Sequence, residues 1–129
     1  GCFDILHRGH IKYLDQARNI SDFLFIGIND DSSVKNLKGK SRPINNIKDR
    51  MEMVRRATLD DAFIIKFSES TPLKLIKKIK PDILIKGGDY KENEIVGSTF
   101  VKKQNGKVKI IPFVPGCSST RIIDKIKKS

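Results

Sequence analysis

Tryptophan is absent from this sequence, and cysteine, histidine and methionine occur only twice each. Cys2 and Cys117 lie near opposite ends of the chain. Neither has a second ligand at metal-binding spacing, and two cysteines do not make a disulfide framework. They read as reduced thiols with no catalytic role. No apolar run approaches the ~20 residues that a membrane span needs, and no signal-peptide pattern opens the chain. A cytoplasmic location without a membrane partner is therefore expected. Acidic residues are also scarce, 15 against 26 basic ones, for a net charge of +11. Such an excess raises nucleic acid as a partner. However, 19 of the 26 basic residues are Lys, spread along helices and tails, and Ile is equally frequent. Joint Lys and Ile enrichment is what an AT-rich coding sequence produces, and a nucleic-acid binder more often interleaves Arg with aromatics. No nucleic-acid partner is expected; a positive field equally suits a protein whose ligands are small anions.

What is present is a globular composition, 38% hydrophobic and 32% charged, with apolar runs alternating with amphipathic stretches. Strands are predicted at Phe23–Asn29, Ala62–Phe67, Asp82–Lys86 and Val108–Pro112. Helical spacing marks Ile11, Leu14 and Ala17; Ile47, Met51 and Val54; Leu73, Ile76 and Ile79; and Ile122, Ile123 and Ile126. Gly1–Asp4 reads as the end of a strand whose beginning is missing. Alternating strands and helices imply a single α/β domain over residues 1–129. The fold expected is Rossmann-like and doubly wound, with a mostly parallel sheet of about five strands and helices on both faces. Such sheets bind ligands beyond the carboxyl ends of their strands.

The strongest chemical signal is Gly1-Cys2-Phe3-Asp4-Ile5-Leu6-His7-Arg8-Gly9-His10, followed at once by an amphipathic helix. The chain's only two histidines flank a glycine at a strand-to-helix turn. A glycine there lets backbone approach a phosphate, the helix N-terminus offers free N–H groups, and imidazoles can donate to phosphate oxygens. Three weaker blocks follow. Gly116-Cys117-Ser118-Ser119-Thr120-Arg121, read alone, is a helix cap. Lys86-Gly87-Gly88-Asp89-Tyr90 is a turn after a strand. Lys35 to Pro43 reads as a solvated basic loop, with Arg50 on the next helix.

Gly-x-Phe-Asp-x-x-His-x-Gly-His resembles the signature of the cytidylyltransferase-like nucleotidyltransferases, and the weaker blocks follow in that family's order along essentially the whole chain. The resemblance implies catalytic roles for His7, His10, Lys38 and Arg50, with Lys35 and Arg42 as weaker choices for reaching the phosphates. It implies nucleotide contacts from Cys2, Phe3, Gly9, His10, Gly87, Asp89, Ser118, Ser119 and Thr120. Asp4, Asn29, Asp30 and Arg42 are expected on the acceptor side, although structural turn roles serve Asp4, Asn29 and Asp30 nearly as well. No protein-held metal is expected. Mg²⁺ would arrive with ATP, because no carboxylate cluster is visible.

Leu37–Pro43, Lys86–Tyr90 and Cys117–Ile123 are most similar to the adenylyltransferase branch that joins ATP and D-glycero-β-D-manno-heptose 1-phosphate, giving ADP-heptose for lipopolysaccharide core synthesis. That branch implies ATP and a sugar 1-phosphate as partners, and fusion to or cooperation with a sugar kinase domain. It leaves a homodimer open. The alternatives are a cytidylyltransferase acting on glycerol 3-phosphate or a phospho-amino-alcohol and, from a different class, a basic nucleic-acid-binding module.

Overall fold

The computed structural model describes residues 1–112 and 119–128. Its elements run α1 (Arg8–Asn19), β1 (Phe25–Asn29), α2 (Asp31–Lys38), α3 (Ile47–Ala57), β2 (Phe63–Phe67), α4 (Leu73–Ile79) and β3 (Ile83–Gly87). A 3₁₀ turn (Glu92–Glu94), α5 (Ser98–Lys103), β4 (Lys107–Ile111) and α6 (Ser119–Lys128) complete them. The chain divides into two compact units, Gly1–Ser70 with Val114–Ser129, and Thr71–Phe113.

In the first unit β1 and β2 pair in parallel, from Phe25 opposite Phe63 to Asn29 opposite Phe67. A parallel pair needs a crossover, here supplied by α2 and α3. Phe3, Leu14, Ile26, Ile28 and Val54 form the core. Ile28 and Val54 are fully buried, each worth roughly 1.5–3 kcal/mol by area removed from water. The helices start where short polar side chains cap them. Asp30 accepts from the Ser33 N–H at α2 and Asn46 from the Asp49 N–H at α3, each satisfying one of the orphan donors of a first turn.

In the second unit β3 and β4 are parallel, from Ile83 opposite Lys107 to Gly87 opposite Ile111, with Ile76, Ile95, Val101 and Ile111 buried. Gly97 precedes α5 with φ of +88°, and a Cβ there would sit 2.8 Å from Ile76 Cδ1. Both the backbone angle and the contact require glycine.

The parallel α/β class read from the sequence is the observed one, with two corrections. The described residues hold four strands, not about five. Gly1 donates to the Gly27 carbonyl and accepts from the Asn29 N–H, but Phe3 then turns to φ of 49° and Gly1–Asp4 makes no ladder. Secondly, the Lys35–Pro43 stretch expected as a loop begins inside α2. That helix buries only Ser33 and Val34, too few apolar positions to show a periodicity.

Candidate active site

The signature turn builds the start of α1. His7 is the N-cap, and its Nδ1 accepts from the Gly9 N–H at 3.1 Å. An accepting ring nitrogen carries no proton, so Nε2–H is the donor that His7 retains. His10 stacks on it, with ring centroids 3.9 Å apart and planes inclined by 27°; the Phe3 ring lies 5.2 Å from His10. The glycine spacing thus presents two imidazoles face to face in the first turn of a helix, beside free N–H groups and the positive dipole end.

Burial lowers the His7 pKa. Burial and then the neighbouring His7 push His10 down to about 4, against an opposing pull from the Ile5 backbone. Both rings are therefore neutral at pH 7, able to donate hydrogen bonds without carrying charge. His10 Nδ1 is buried with no hydrogen-bond partner among the described residues, although the ring does take a hydrogen bond with the Ile5 backbone.

Next to this pair lie two fully buried charged side chains. The Asp4 carboxylate accepts from Arg42 Nε at 2.7 Å and from the Ile44 and Asn45 N–H groups at 2.9 Å. Burial alone would raise its pKa, but the Asn45 and Ile44 amides and Arg42 outweigh it and hold the carboxyl below the ordinary value. Arg50 donates to the Asn45, Cys2 and Asn29 carbonyls at 2.9, 2.8 and 2.7 Å, and to Asp31 at 2.8 Å. A cleft of about 390 Å³ opens along this segment, its lining including Lys35, Lys40, Arg42, Asn45 and Asp49. Lys35, Lys40 and Arg42 there face Asp31 and Asp49, and Arg42 is already paired with Asp4, so among the described residues the two lysines supply the cleft's unpaired positive lining.

The profile of the cytidylyltransferase-like family matches residues 1–125. The chain belongs to the cytidylyltransferase-like family. Relatives include the bifunctional protein HldE of Haemophilus influenzae, 52% identical over 98% of this chain and 26% of that protein. HldE of Campylobacter fetus is 54% identical over 98% of this chain and 27% of its own length. This chain thus spans about a quarter of the curated relatives it matches. A crystal structure of the lipopolysaccharide core biosynthesis protein of Thermoplasma volcanium superposes with a TM-score of 0.69 at 30% identity, covering 88% of this chain and 91% of that one. Family membership makes the chain a nucleotidyltransferase.

Against that family signature, the first unit holds Cys2, Phe3, Asp4, His7, Gly9, His10, Asn29, Asp30, Arg42, Arg50 and Thr120 together. Arg42, paired with Asp4 of the signature turn, donates from Nη1 to Thr120 Oγ1 in the first turn of α6 at 3.5 Å. Ser118 and the Ser119 side chain lie outside the described residues. Asn29 and Asp30 hold the start of α2: Asn29 Nδ2 donates to Ser33 Oγ at 3.0 Å, and Asp30 accepts from the Ser33 N–H at 2.9 Å. Lys38 ends α2 and is exposed, while Lys35 and Lys40 line the cleft. Gly87 and Asp89 belong to the second unit, Gly87 ending β3 and Asp89 exposed. Sequence reasoning passed over Lys40 and Asn45. Lys40 sits in the basic Lys38-Gly39-Lys40 run and could have been weighed there; for Asn45 the sequence carries no signal.

Proposed function

We propose that this chain is the adenylyltransferase that joins ATP and D-glycero-β-D-manno-heptose 1-phosphate, releasing pyrophosphate, for lipopolysaccharide core synthesis. The observation that carries the chemistry is the neutral, stacked His7–His10 pair in the first turn of α1. The branch rests on the Ser-Arg-Pro and Lys-Gly-Gly-Asp-Tyr wording and on relatives at about half identity along nearly the whole chain.

In this reading an ionised oxygen of the acceptor phosphate attacks the α-phosphorus in line. The new O–P bond forms as the bond to the bridging oxygen of the β-phosphate breaks, and pyrophosphate departs. The nucleophile is already ionised at neutral pH, so no general base is needed. Catalysis comes from orientation and from donors directed at developing charge. His7 and His10 donate to the α-phosphate, while Lys38 meets the departing pyrophosphate as a mobile point charge. The α6 N-terminus with Ser118, Ser119 and Thr120 holds the β- and γ-phosphates. Arg42, with Lys35 and Lys40 in the same cleft, receives the acceptor phosphate, and Arg50 supports that side from within. Cys2, Phe3 and Gly9 flank the nucleotide; for Gly87 and Asp89 the base and ribose role rests on motif resemblance alone.

Among the described residues no group of three or more His, Cys, Asp or Glu side chains forms a metal cage. Mg²⁺ in this reading is held by the nucleotide's own phosphates. No helix of the described residues is long and apolar enough to cross a membrane, and an enzyme drawing on ATP belongs in the cytoplasm. A sugar kinase, fused or separate, supplies the 1-phosphate, in keeping with relatives that are bifunctional and about four times longer.

The test is pyrophosphate release with Mg²⁺, pairing ATP or CTP with heptose 1-phosphate or glycerol 3-phosphate. Release with ATP and heptose 1-phosphate alone supports the reading. Release with CTP and glycerol 3-phosphate keeps the mechanism and overturns the substrates.

A further inference from the structure

We propose that Asp4 and Arg50 are positioning residues that act through the Arg42–Asn46 segment, and that neither touches a ligand. Both side chains are fully buried, and both grip the same short piece of chain from opposite hydrogen-bonding senses. Asp4 takes its donors: Arg42 Nε and the Ile44 and Asn45 amides. Arg50 takes its acceptor, the Asn45 carbonyl at 2.9 Å. The Asn45 side chain closes the ring by donating to the Asp4 carbonyl at 2.6 Å.

The remaining Arg50 bonds tie that segment to the rest of the site. Nη1 donates to the carbonyls of Cys2, in the signature turn, and Asn29, at the end of β1. Nη2 pairs with Asp31, at the start of α2. One guanidinium therefore fixes the relative positions of the histidine turn, the end of β1, the α2 start and the cleft wall. Four of its five N–H donors are engaged. Arg42 extends the chain outwards, anchored by Asp4 through Nε and reaching Thr120 through Nη1. A shift of about 1 Å in such a frame misplaces the ligand-facing groups and can lower turnover roughly a hundredfold without removing any contact to ligand.

The experiment combines two readouts on Asp4→Asn, Arg50→Lys, Arg42→Lys and the Asp4→Asn/Arg42→Lys double variant. Backbone amide exchange at Ile44 and Asn45 reports the clamp and does not depend on the proposed reaction. Steady-state kcat and KM with ATP and heptose 1-phosphate, which rest on that reaction, report its consequence.

Asp4→Asn is expected to speed exchange of both amides by at least about tenfold, as local opening loses its restraint. It should lower kcat by about a hundredfold while leaving the KM for ATP within about threefold. Adding Arg42→Lys should then lower kcat by less than about threefold more, because the two share one pathway to turnover, and any loss of Arg42's own phosphate contact is read separately in the acceptor KM. Losses that multiply independently overturn the proposal. So does a fall in kcat with exchange unchanged, which marks direct ligand contact, or faster exchange with full kcat, which marks a merely structural role. Arg50→Lys keeps the charge but not the fork. It should repeat the pattern of Asp4→Asn, and it decides the matter if that variant does not fold. Should wild-type protein release no pyrophosphate with any pair, the functional reading fails, and amide exchange alone then decides whether the clamp exists.

Discussion

The histidine pair and the Asp4–Arg50 clamp lie in the same unit, yet they treat hydrogen bonding in opposite ways. Asp4 and Arg50 are buried charges met by several backbone groups and by one charged side chain each, Arg42 and Asp31. His10 is a neutral ring with a buried nitrogen that has no partner among the described residues, and His7 retains an Nε2–H beyond its one cap bond. Satisfied polar groups hold a shape, whereas open ones keep an interaction in reserve for a reacting ligand. In the proposed reaction, the difference separates residues that would support the chemistry from residues that would perform it.

The sharpest way to break that comparison is to empty the clamp. Arg50→Ala leaves three carbonyls without their donor, while the half-exposed Asp31 falls back on water; it is expected to destabilise the fold by about 2–4 kcal/mol, measured by urea denaturation. A loss below about 1 kcal/mol would mean that water replaces the guanidinium and that the clamp is not structural.

His10→Ala should behave in the reverse manner. Turnover is expected to fall by about 10²–10³-fold, with a stability change of about 1 kcal/mol at most. Pyrophosphate release and thermal melting on the same preparation check both parts. A near-normal rate would remove His10 from the chemistry.

A smaller effect comes from pH. His10 titrates near 4 in the folded chain against 6.5 for an unperturbed imidazole, so the unfolded state takes up the proton first on acidification. Stability is therefore complete above pH 6.5 and declines as pH falls towards 4. In His10→Gln this contribution to the slope should vanish, and an unchanged slope would assign the acid sensitivity to other groups. The smallest effect is expected at Glu52, whose pairs with Arg55 and Arg56 are exposed. Glu52→Gln should leave both melting temperature and turnover unchanged, since exposed ion pairs are screened by solvent. A measurable loss would show that surface charge supports α3 more than the comparison allows.

Much of this was legible from residue order because it depends on local chemistry. The apolar spacing of Ile47, Met51 and Val54 and of Leu73, Ile76 and Ile79 marked α3 and α4, since one helix face must be apolar to pack. Short helices escaped notice. Within α5, Ser98–Lys103, only Ser98 and Val101 are buried, and one apolar anchor has no period.

What sequence alone determined is the chemistry available: a glycine-spaced histidine pair opening a helix, parallel strands, and a basic stretch. These follow from residue identity and spacing along the chain. The assignment of parts was decided only in three dimensions. The family resemblance puts Arg50 at the phosphates, while Asp4 suits the acceptor side and a structural role in the turn nearly equally well. Folding brings the carbonyls of residues 2, 29 and 45 within 3 Å of Arg50 and the amides of residues 44 and 45 within 3 Å of Asp4, and on those bonds rests the proposal that both are internal supports. Backbone atoms are the same in every residue, so no sequence pattern marks which of them a buried charge will meet.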